Sequence, residues 1–360
     1  MGHSAPRYSP TALSRRPCAA LLPLLAIALL LSAATGASAQ PFGGWAIFSD
    51  SPQGYVQIPH SPALNPAAAF TFEAWVNIDS EAGCRSIAGK GWTEAWWVGV
   101  CGTTMRSYLR GSSSLRDSGT IPNNQWTHIA VTFDGAFRRH YINGEIAGQW
   151  AEAGPLTSST DPVRIASDVS WNIIPDAAFN EVRLWSVART TEELRQAINE
   201  PITAPEVGLI ALWLSGGSPD DAVGGFDGAF VGDVFGLTFP VAFGCDGNTA
   251  TSLCLDDRFI ISGSWRFPDD STGPLQVASC GNDDSGLFYY TNPNNWEILV
   301  KMLNACGINN HYWVFAASTT NVFYRMEVFD VVAGVNKIYF NYPGPPAPAI
   351  TDTGAFATCP

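Results

Sequence analysis

The sequence predicts an all-β protein built of two antiparallel sandwiches, and three observations carry this prediction. Short segments along the chain alternate apolar and polar residues with a period of two, which is the pattern of half-buried strands. The 34 glycines and 25 prolines separate these segments at short intervals, as residues of tight turns do. Of the 360 residues, 46% are hydrophobic and only 14% are charged, so the chain can form a sizeable core, and its length favours about two domains.

The strands of the N-terminal half follow directly from this alternation. The segment FTFEAWVNI (70–78) places its phenylalanines on one face and Thr71, Glu73 and Trp75 on the other. The same period recurs in WTHIAVTFDG (126–135) and in NEVRLW (180–185), and LIALWL (209–214) predicts a last, buried strand. These segments predict a sandwich.

Two local signals add a turn and a helix to this sandwich. Asn143-Gly144 is a pair that two-residue hairpin turns prefer, because both positions must accept a positive φ. Thr190 and Glu193 have the spacing of a capping box, and Leu194 and Ile198 follow four residues apart. A short helix is therefore predicted on a β body.

The first 39 residues have the pattern of a secretory signal peptide. Three arginines precede an apolar run (19–31), and Ala37-Ser38-Ala39 supplies the small residues of a cleavage site. A membrane anchor would need about 20 apolar residues, whereas this run is shorter and contains Pro23. We therefore expect cleavage before Gln40, export, and no transmembrane span.

The charge balance excludes one class of partner. The chain has 19 lysines and arginines against 32 aspartates and glutamates, a net charge of −13. A protein that binds nucleic acid needs a basic surface for the phosphates. We therefore expect no nucleic-acid partner.

Several segments resemble one family. FTFEAWV, WTHIAVTFDG followed by YING, and NEVRLWSVARTTEEL followed by LIALWL are similar to the laminin G-like jellyroll of the concanavalin A-like lectin/glucanase superfamily. The resemblance covers roughly 45–217 and implies two packed antiparallel sheets. It also implies an extracellular module that binds a glycan or a protein, although the fold alone does not specify which.

The C-terminal third predicts a second, smaller sandwich. RFIISGSWRF (258–267) alternates, and five further short apolar segments follow it. LCL (253–255), NNWEILVKMLNACGINNHYWVF (294–315) and DTGAFATCP (352–360) resemble a β module found at the ends of secreted bacterial proteins, which has no assigned function. The expected organisation is a signal peptide at 1–39, a jellyroll at 40–217, a linker or completing strands at 218–240, and a sandwich at 241–360.

The cysteines predict a disulfide framework in an exported chain. Cys84 and Cys101 flank a predicted hairpin and face each other across it, so we expect them to be bonded. Four cysteines of the C-terminal motif segments allow three connectivities, of which we favour the pairs Cys245–Cys359 and Cys254–Cys306. Cys280 is then the odd thiol, either free or bonded to a second molecule.

The sequence does not favour an enzyme. Glycosidases of similar fold place two carboxylates on one strand face, whereas Glu73 stands alone beside Thr71, Trp75 and Asn77. No G-x-S-x-G elbow occurs. A hydrolase using Glu73 in an unrecognised site is the alternative, as is a structural protein that self-associates through Cys280.

Binding residues are expected in the loops of the jellyroll. Trp92, Trp96, Trp97 and Trp171 lie in or beside predicted loops, where they are candidates for stacking on a sugar ring, although most tryptophans belong to the core. The family resemblance also implies a calcium site at one rim, for which Asp168 and Asn172 are the candidate ligands. The alternative is that both are turn residues whose side chains bond their own backbone. We thus predict a secreted, non-catalytic binding protein.

Overall fold

A computed structural model describes most of the chain from Trp45 onward. The described residues are 45–48, 54–79, 83–111, 114–170, 176–198, 202, 205–214, 217–232, 234–237, 245, 247–344 and 347–360. The predicted signal peptide at 1–39 and the residues Trp171 and Asn172 lie outside them. Within the described residues, no helix is both long enough and apolar enough to cross a bilayer.

The N-terminal sandwich consists of two antiparallel sheets. In the described part of the chain, sheet A has the order β10-β9-β8-β3-β12-β1-β15, with β13 paired to β12. Its strands are β1 (Trp45–Phe48), β3 (Phe70–Ile78), β8 (Thr127–Phe133), β9 (Phe137–Ile142), β10 (Glu145–Ala151), β12 (Ala177–Trp185), β13 (Leu209–Trp213) and β15 (Val234–Leu237). The strands predicted from alternation are thus central in this sheet.

Sheet B packs against sheet A. Its order in the described residues is β14-β2-β11-β4-β5-β6-β7. Its strands are β2 (Tyr55–Ile58), β4 (Cys84–Gly89), β5 (Trp96–Cys101), β6 (Thr104–Leu109), β7 (Leu115–Thr120), β11 (Val163–Ile165) and β14 (Ala229–Val231). The strands β14 and β15 follow β13 in sequence and return to pair with β2 and β1.

The core of this sandwich contains the alternating apolar residues. Phe70, Phe72 and Val76 of β3 pack with Val98 and Val131 from sheets B and A, and all are at most 1% exposed. Burying one such side chain stabilises the fold by about 1.5–3 kcal/mol relative to leaving it in water. The period of two therefore sets which face of each strand points inward.

The C-terminal residues form the second sandwich, again of two antiparallel sheets. Sheet C has the order β16-β17-β23-β24, with β18 paired to β17, and sheet D has the order β19-β20-β21-β22-β25, both within the described residues. The strands of sheet C are β16 (Leu253–Leu255), β17 (Phe259–Arg266), β18 (Thr272–Pro274), β23 (Phe323–Asp330) and β24 (Val335–Asn341). Those of sheet D are β19 (Gln276–Asn282), β20 (Ser285–Tyr289), β21 (Ile298–Ala305), β22 (His311–Ser318) and β25 (Ile350–Phe356). The predicted all-β class with two sandwiches is confirmed.

The two sandwiches pack through sheets A and C. Trp75 and Trp126 from the jellyroll side form one buried cluster with Ile338, and Phe340 packs against it. Arg325 of β23 donates from Nη2 to the carbonyl oxygen of Trp126, at 3.1 Å. The outer face of sheet A is therefore covered, and the layers follow the order B, A, C, D.

Two short α-helices occur in the described residues, α1 (Thr191–Ala197) and α2 (Cys306–Asn309), besides one 3-10 turn at Pro62–Leu64. Thr190 caps α1: its hydroxyl accepts from the amide of Glu193, and the Glu193 carboxylate accepts from the amide of Thr190. The capping box predicted from the sequence thus begins the helix, and Leu194 anchors it to Ala130 and Tyr141 of sheet A.

The described disulfides match one predicted pair and correct the other two. Cys84 and Cys101 stand opposite each other in the β4–β5 register and are bonded. The pairs Cys245–Cys359 and Cys254–Cys306 are wrong, because the structure joins Cys245 to Cys254 and Cys306 to Cys359. The physical reason is local: the backbone amide of Cys245 donates to the carbonyl oxygen of Asp257 in the β16–β17 turn, which places Cys245 next to Cys254.

Candidate functional site

The adjacent tryptophans of β5 lie on opposite faces of sheet B, as consecutive strand residues must. Trp96 points into the core, where its ring centroid lies 5.4 Å from that of Phe70 and 5.7 Å from that of Phe72. Trp97 points to the outer face, where its indole nitrogen donates to the hydroxyl of Ser86 at 2.8 Å. The structure therefore places Trp96 in the core and Trp97 on the outer side of sheet B, where its neighbours leave it only 2% exposed.

Trp97 belongs to a cluster of three aromatic rings. Tyr108 of β6 is its register partner, with ring centroids 5.7 Å apart, and Trp92 lies 5.1 Å from Tyr108 on the other side. The rings are tilted by 53–54°. Gly99 allows the Trp97 indole to lie along the sheet, because a Cβ at that position would be 2.2 Å from the indole ring.

A charged pair borders these rings. Arg106 of β6 faces Asp117 of β7, and two hydrogen bonds of 2.6 Å join the guanidinium Nε and Nη2 to the two carboxylate oxygens. The hydrogen bond with Asp117 raises the pKa of Arg106, and the same bond lowers the pKa of Asp117. The side chains are 25% and 38% exposed, so both stay ionised and accessible to a ligand.

We call this group the sheet B aromatic site; its members are Trp92, Trp97, Tyr108, Arg106 and Asp117. A shallow hollow is lined by Cys84, Trp92, Trp97, Arg106 and Tyr108. The combination offers aromatic faces together with hydrogen-bond donors and acceptors. The sequence indicated the two tryptophans but not Tyr108 or the ion pair. These residues meet only through the register in which β5, β6 and β7 pair.

Asp168, predicted as a calcium ligand, holds the loop that carries Trp92. Its carboxylate accepts from the amides of Gly91 (2.8 Å), Trp92 (3.3 Å) and Ser170 (2.9 Å). The side chain is fully buried, and Gly89 leaves room for it. Asn172, the second proposed ligand, and Trp171 lie outside the described residues. In the described part of the chain, no group of three or more His, Cys, Asp or Glu side chains could hold a metal ion.

Glu73, the residue of the hydrolase alternative, is fully buried beside two arginines and a histidine. Its carboxylate lies 3.2 Å from His128 Nε2, 3.7 Å from Arg183 and 3.6 Å from Arg189, and it accepts from the Trp185 indole at 2.8 Å. Burial alone would raise the pKa of Glu73, but the hydrogen bond with His128 and the two arginines lower it to about 2. The carboxylate is therefore ionised at neutral pH and closed off from solvent, as in a structural ion-pair cluster.

A second polar layer lies between sheets A and B. The hydroxyl of Ser107 is 2.6 Å from Nε2 of His140, whose Nδ1 is 2.7 Å from the hydroxyl of Ser118. Arg138 donates to Ser107 and to both carboxylate oxygens of Glu152. Although serine and histidine are adjacent here, both are fully buried, so no substrate reaches the pair.

The fold and this face define a jellyroll with a candidate ligand-binding surface. Residues 50–195 match the family model described as the concanavalin A-like lectin/glucanases superfamily. The matched segment contains every member of the sheet B aromatic site. The family resemblance stated from the sequence is thereby confirmed for the N-terminal sandwich.

Solved structures with similar folds come from several sources. A proposed carbohydrate-binding protein from Bacteroides ovatus is 19% identical, with a TM-score of 0.48, and the alignment covers 56% of this chain and 62% of that protein. A pentraxin from Limulus polyphemus is 13% identical (TM-score 0.40; 54% of this chain, 94% of the pentraxin). Domain 4 of an extracellular arabinanase from Geobacillus stearothermophilus, in complex with arabinotriose, is 19% identical (TM-score 0.36; 42% and 75%). The comparison with curated proteins gave no match. The alignment with the Bacteroides protein covers 62% of that protein, so this chain spans less than two thirds of its length.

Proposed function

We propose that this is an exported, non-catalytic protein that binds a glycan at the sheet B aromatic site. The observation that carries the proposal is the grouping of Trp92, Trp97 and Tyr108 beside the ionised pair of Arg106 and Asp117. Trp92 and Tyr108 are half-buried, and their rings have apolar faces with a negative quadrupole that suit the C–H-rich faces of a sugar, whereas the buried Trp97 supports them from within. The ion pair supplies donors and acceptors that fix the orientation of its hydroxyl groups.

The arrangement of the layers supports sheet B as the binding face. Sheet A uses its outer face to pack against the second sandwich, so a ligand of the jellyroll approaches sheet B. The loop bearing Trp92 is fixed by Asp168, which limits the entropy lost when a ligand binds. The disulfides support export, because such bonds persist in oxidising compartments.

The proposal of a non-catalytic protein rests on the position of Glu73. Glycosidases need an accessible acid and a second carboxylate near it. Glu73 is fully buried and is surrounded by His128, Arg183 and Arg189. We therefore expect no turnover of polysaccharides by the purified protein.

The experiment is a binding titration of purified protein with a panel of neutral oligosaccharides, following tryptophan fluorescence and heat. Trp92→Ala and Tyr108→Ala should each weaken binding at least about tenfold, which corresponds to about 1.4 kcal/mol. The control is Trp296→Ala, since Trp296 is 49% exposed in the second sandwich and lies away from the site. Equal affinities for all three variants and the unmodified protein would refute the assignment of the site.

Self-association is a second candidate function, favoured by the exposed free thiol of Cys280. In an oxidising compartment, such a thiol can form a disulfide with a second molecule. Oxidised protein would then give a covalent dimer on non-reducing gels that Cys280→Ser abolishes. A dimer that survives this substitution, or no dimer at all, would count against it.

A further inference from the structure

A large cleft lies between the two sandwiches, away from the sheet B aromatic site. Its volume is about 920 Å³. The jellyroll contributes β10 and the turns near it, and the second sandwich contributes β17, β18 and β23. A neighbouring hollow of about 390 Å³ shares Arg266, Asp270 and Phe323 with it. Ligand pockets typically have volumes of about 300–1,000 Å³ and often occur where domains meet.

The walls of the cleft combine apolar surface with both kinds of hydrogen-bonding group. Ile146 is 51% exposed and provides apolar surface on the jellyroll side. On the other side, the guanidinium of Arg266 lies over the Phe323 ring, 4.5 Å from its centroid. Its Nη2 also donates a hydrogen bond of 2.7 Å to the Glu145 carboxylate on the jellyroll side. Uncharged polar side chains also line the cleft: Thr120, Gln125, Asn143, Ser264 and Thr272.

The charges of the lining cancel. Arg266 and Arg325 are balanced by Glu145 and Asp270, in a chain whose net charge is −13. The cleft thus offers no excess charge to an ionic ligand. It offers donors, acceptors and apolar patches, which match the alternation of hydroxyl groups and C–H faces on an uncharged sugar.

From these features we infer that the cleft is a second binding site, for a neutral oligosaccharide. This site is separate from the sheet B aromatic site, and the inference goes beyond the proposed function. A ligand in the cleft contacts residues of both sandwiches, so its binding resists their separation.

The test is hydrogen exchange of the full chain with and without each member of a neutral oligosaccharide panel. The inference expects a bound oligosaccharide to protect amides in 142–147 and 264–272, on both walls of the cleft. Protection confined to other segments, or no protection by any oligosaccharide, overturns it. Protection of these segments by a neutral oligopeptide, and by no oligosaccharide, overturns it as well.

Variants then separate the two sites. Ile146→Ser should weaken binding in the cleft about tenfold by removing apolar contact. Ile308→Ser is the matched control, because Ile308 is 75% exposed and does not line the cleft. This variant should bind the oligosaccharide with the affinity of the unmodified protein. Both positions are exposed, and equal melting temperatures will show that folding is intact. Trp92→Ala should leave protection of the cleft unchanged, whereas unchanged affinity in Ile146→Ser overturns the inference.

Discussion

At the scale of single residues, Glu73 shows how one buried charge depends on its neighbours. His128, Arg183 and Arg189 surround it, and the Trp185 indole donates to it. Glu73→Gln removes the negative charge that faces Arg183 and Arg189, although Arg183 keeps its ion pair with Glu181 at 2.9 Å. Breaking a buried ion pair in this way costs about 3–5 kcal/mol. We expect that loss in the free energy of unfolding measured with urea.

The control for Glu73→Gln is Asp117→Asn, which breaks an ion pair at the surface. Asp117 is 38% exposed, so water and salt screen its attraction to Arg106. The expected loss is below about 1 kcal/mol. If the two variants lose equal stability, the carboxylate of Glu73 does not have the structural role assigned to it.

The buried histidines make stability depend on pH. Burial and the charge of Arg138 lower the pKa of His140 from 6.5 to about 3, and burial also lowers the pKa of His128. Below pH 6.5 the unfolded chain therefore binds protons that the folded chain does not. For His140 stability should fall from pH 6.5 towards 3, by up to about 1.4 kcal/mol per pH unit, and His128 should add a loss of the same sign below pH 6.5. The low pKa of Glu73 adds a further loss below pH 4.5, as the pH falls towards 2.

Urea titrations between pH 7.5 and 5 can isolate the contribution of His140. Over this pH range the free energy of unfolding of His140→Gln should change less than that of the unmodified protein, because only His128 then remains as a buried histidine of lowered pKa. Ser118→Ala disturbs the same polar layer but keeps the imidazole, so it should retain the full pH dependence. An unchanged slope in His140→Gln would contradict the assignment.

The sequence does not predict which of two adjacent tryptophans enters the core. Trp96 and Trp97 are adjacent and chemically identical, and alternation requires only that they face opposite ways. Which of them enters the core depends on Phe70 and Phe72 of the other sheet. Tyr108 and Arg106 were missed for the same reason, since their relation to Trp97 and Asp117 exists only after β5, β6 and β7 pair.

At the scale of secondary-structure elements, the disulfides are expected to differ in their contributions. The bonds close segments of 53 residues (Cys306–Cys359), 17 residues (Cys84–Cys101) and 9 residues (Cys245–Cys254). In the chain-entropy model they contribute about 4, 3 and 2.5 kcal/mol respectively. Replacing each pair by serines should lower stability in that order, as measured by denaturant unfolding. The reverse order would mean that native-state effects outweigh loop closure.

The strands were predictable where one face meets a core. The segment 70–78 predicted from alternation is β3 (Phe70–Ile78), and the segment 258–267 contains β17 (Phe259–Arg266). The strands β16, β18, β19 and β25 were missed because they are three residues long or rich in Gly, Ser, Thr and Asp. Such strands form because a neighbour supplies hydrogen bonds, and no local pattern records this.

At the scale of the whole molecule, the packing of the sandwiches depends on the turn Asn143-Gly144. Both residues have positive φ, 51° and 74°, as the sequence predicted. A Cβ at Gly144 would lie 2.6 Å from the Tyr342 hydroxyl and 2.9 Å from Arg195 Cγ, and Arg195 stacks on the Tyr342 ring. Gly144→Ala should therefore lower the melting temperature through both backbone strain and a clash between the sandwiches.

Gly102→Ala separates these two effects. Gly102 also has a positive φ, 60°, but a Cβ there would meet no atom within 4 Å. It should cost about 1 kcal/mol from the backbone alone, and Gly144→Ala should cost more. If the two substitutions cost the same, the contact with Tyr342 contributes nothing to the packing of the sandwiches.

The contact between the two sandwiches could not be predicted from the sequence. The alternation of β3 predicted a core face and a second face carrying Thr71, Glu73 and Trp75. The second face is buried too, because the segment before α1 covers Thr71 and the second sandwich covers Trp75. A period of two cannot distinguish a strand exposed on one side from a strand covered by another domain.

The order of the four layers sets the distance between the outer faces of sheets B and D. Sheets packed face to face lie about 10 Å apart, so the outer faces of sheets B and D are separated by about 30 Å. A polymer lying along the tryptophans of sheet B therefore cannot touch Leu299 or Trp296, which are exposed on the second sandwich. If sheet B binds a polymer as proposed, the outer face of sheet D then points away from that polymer, on the opposite side of the four layers.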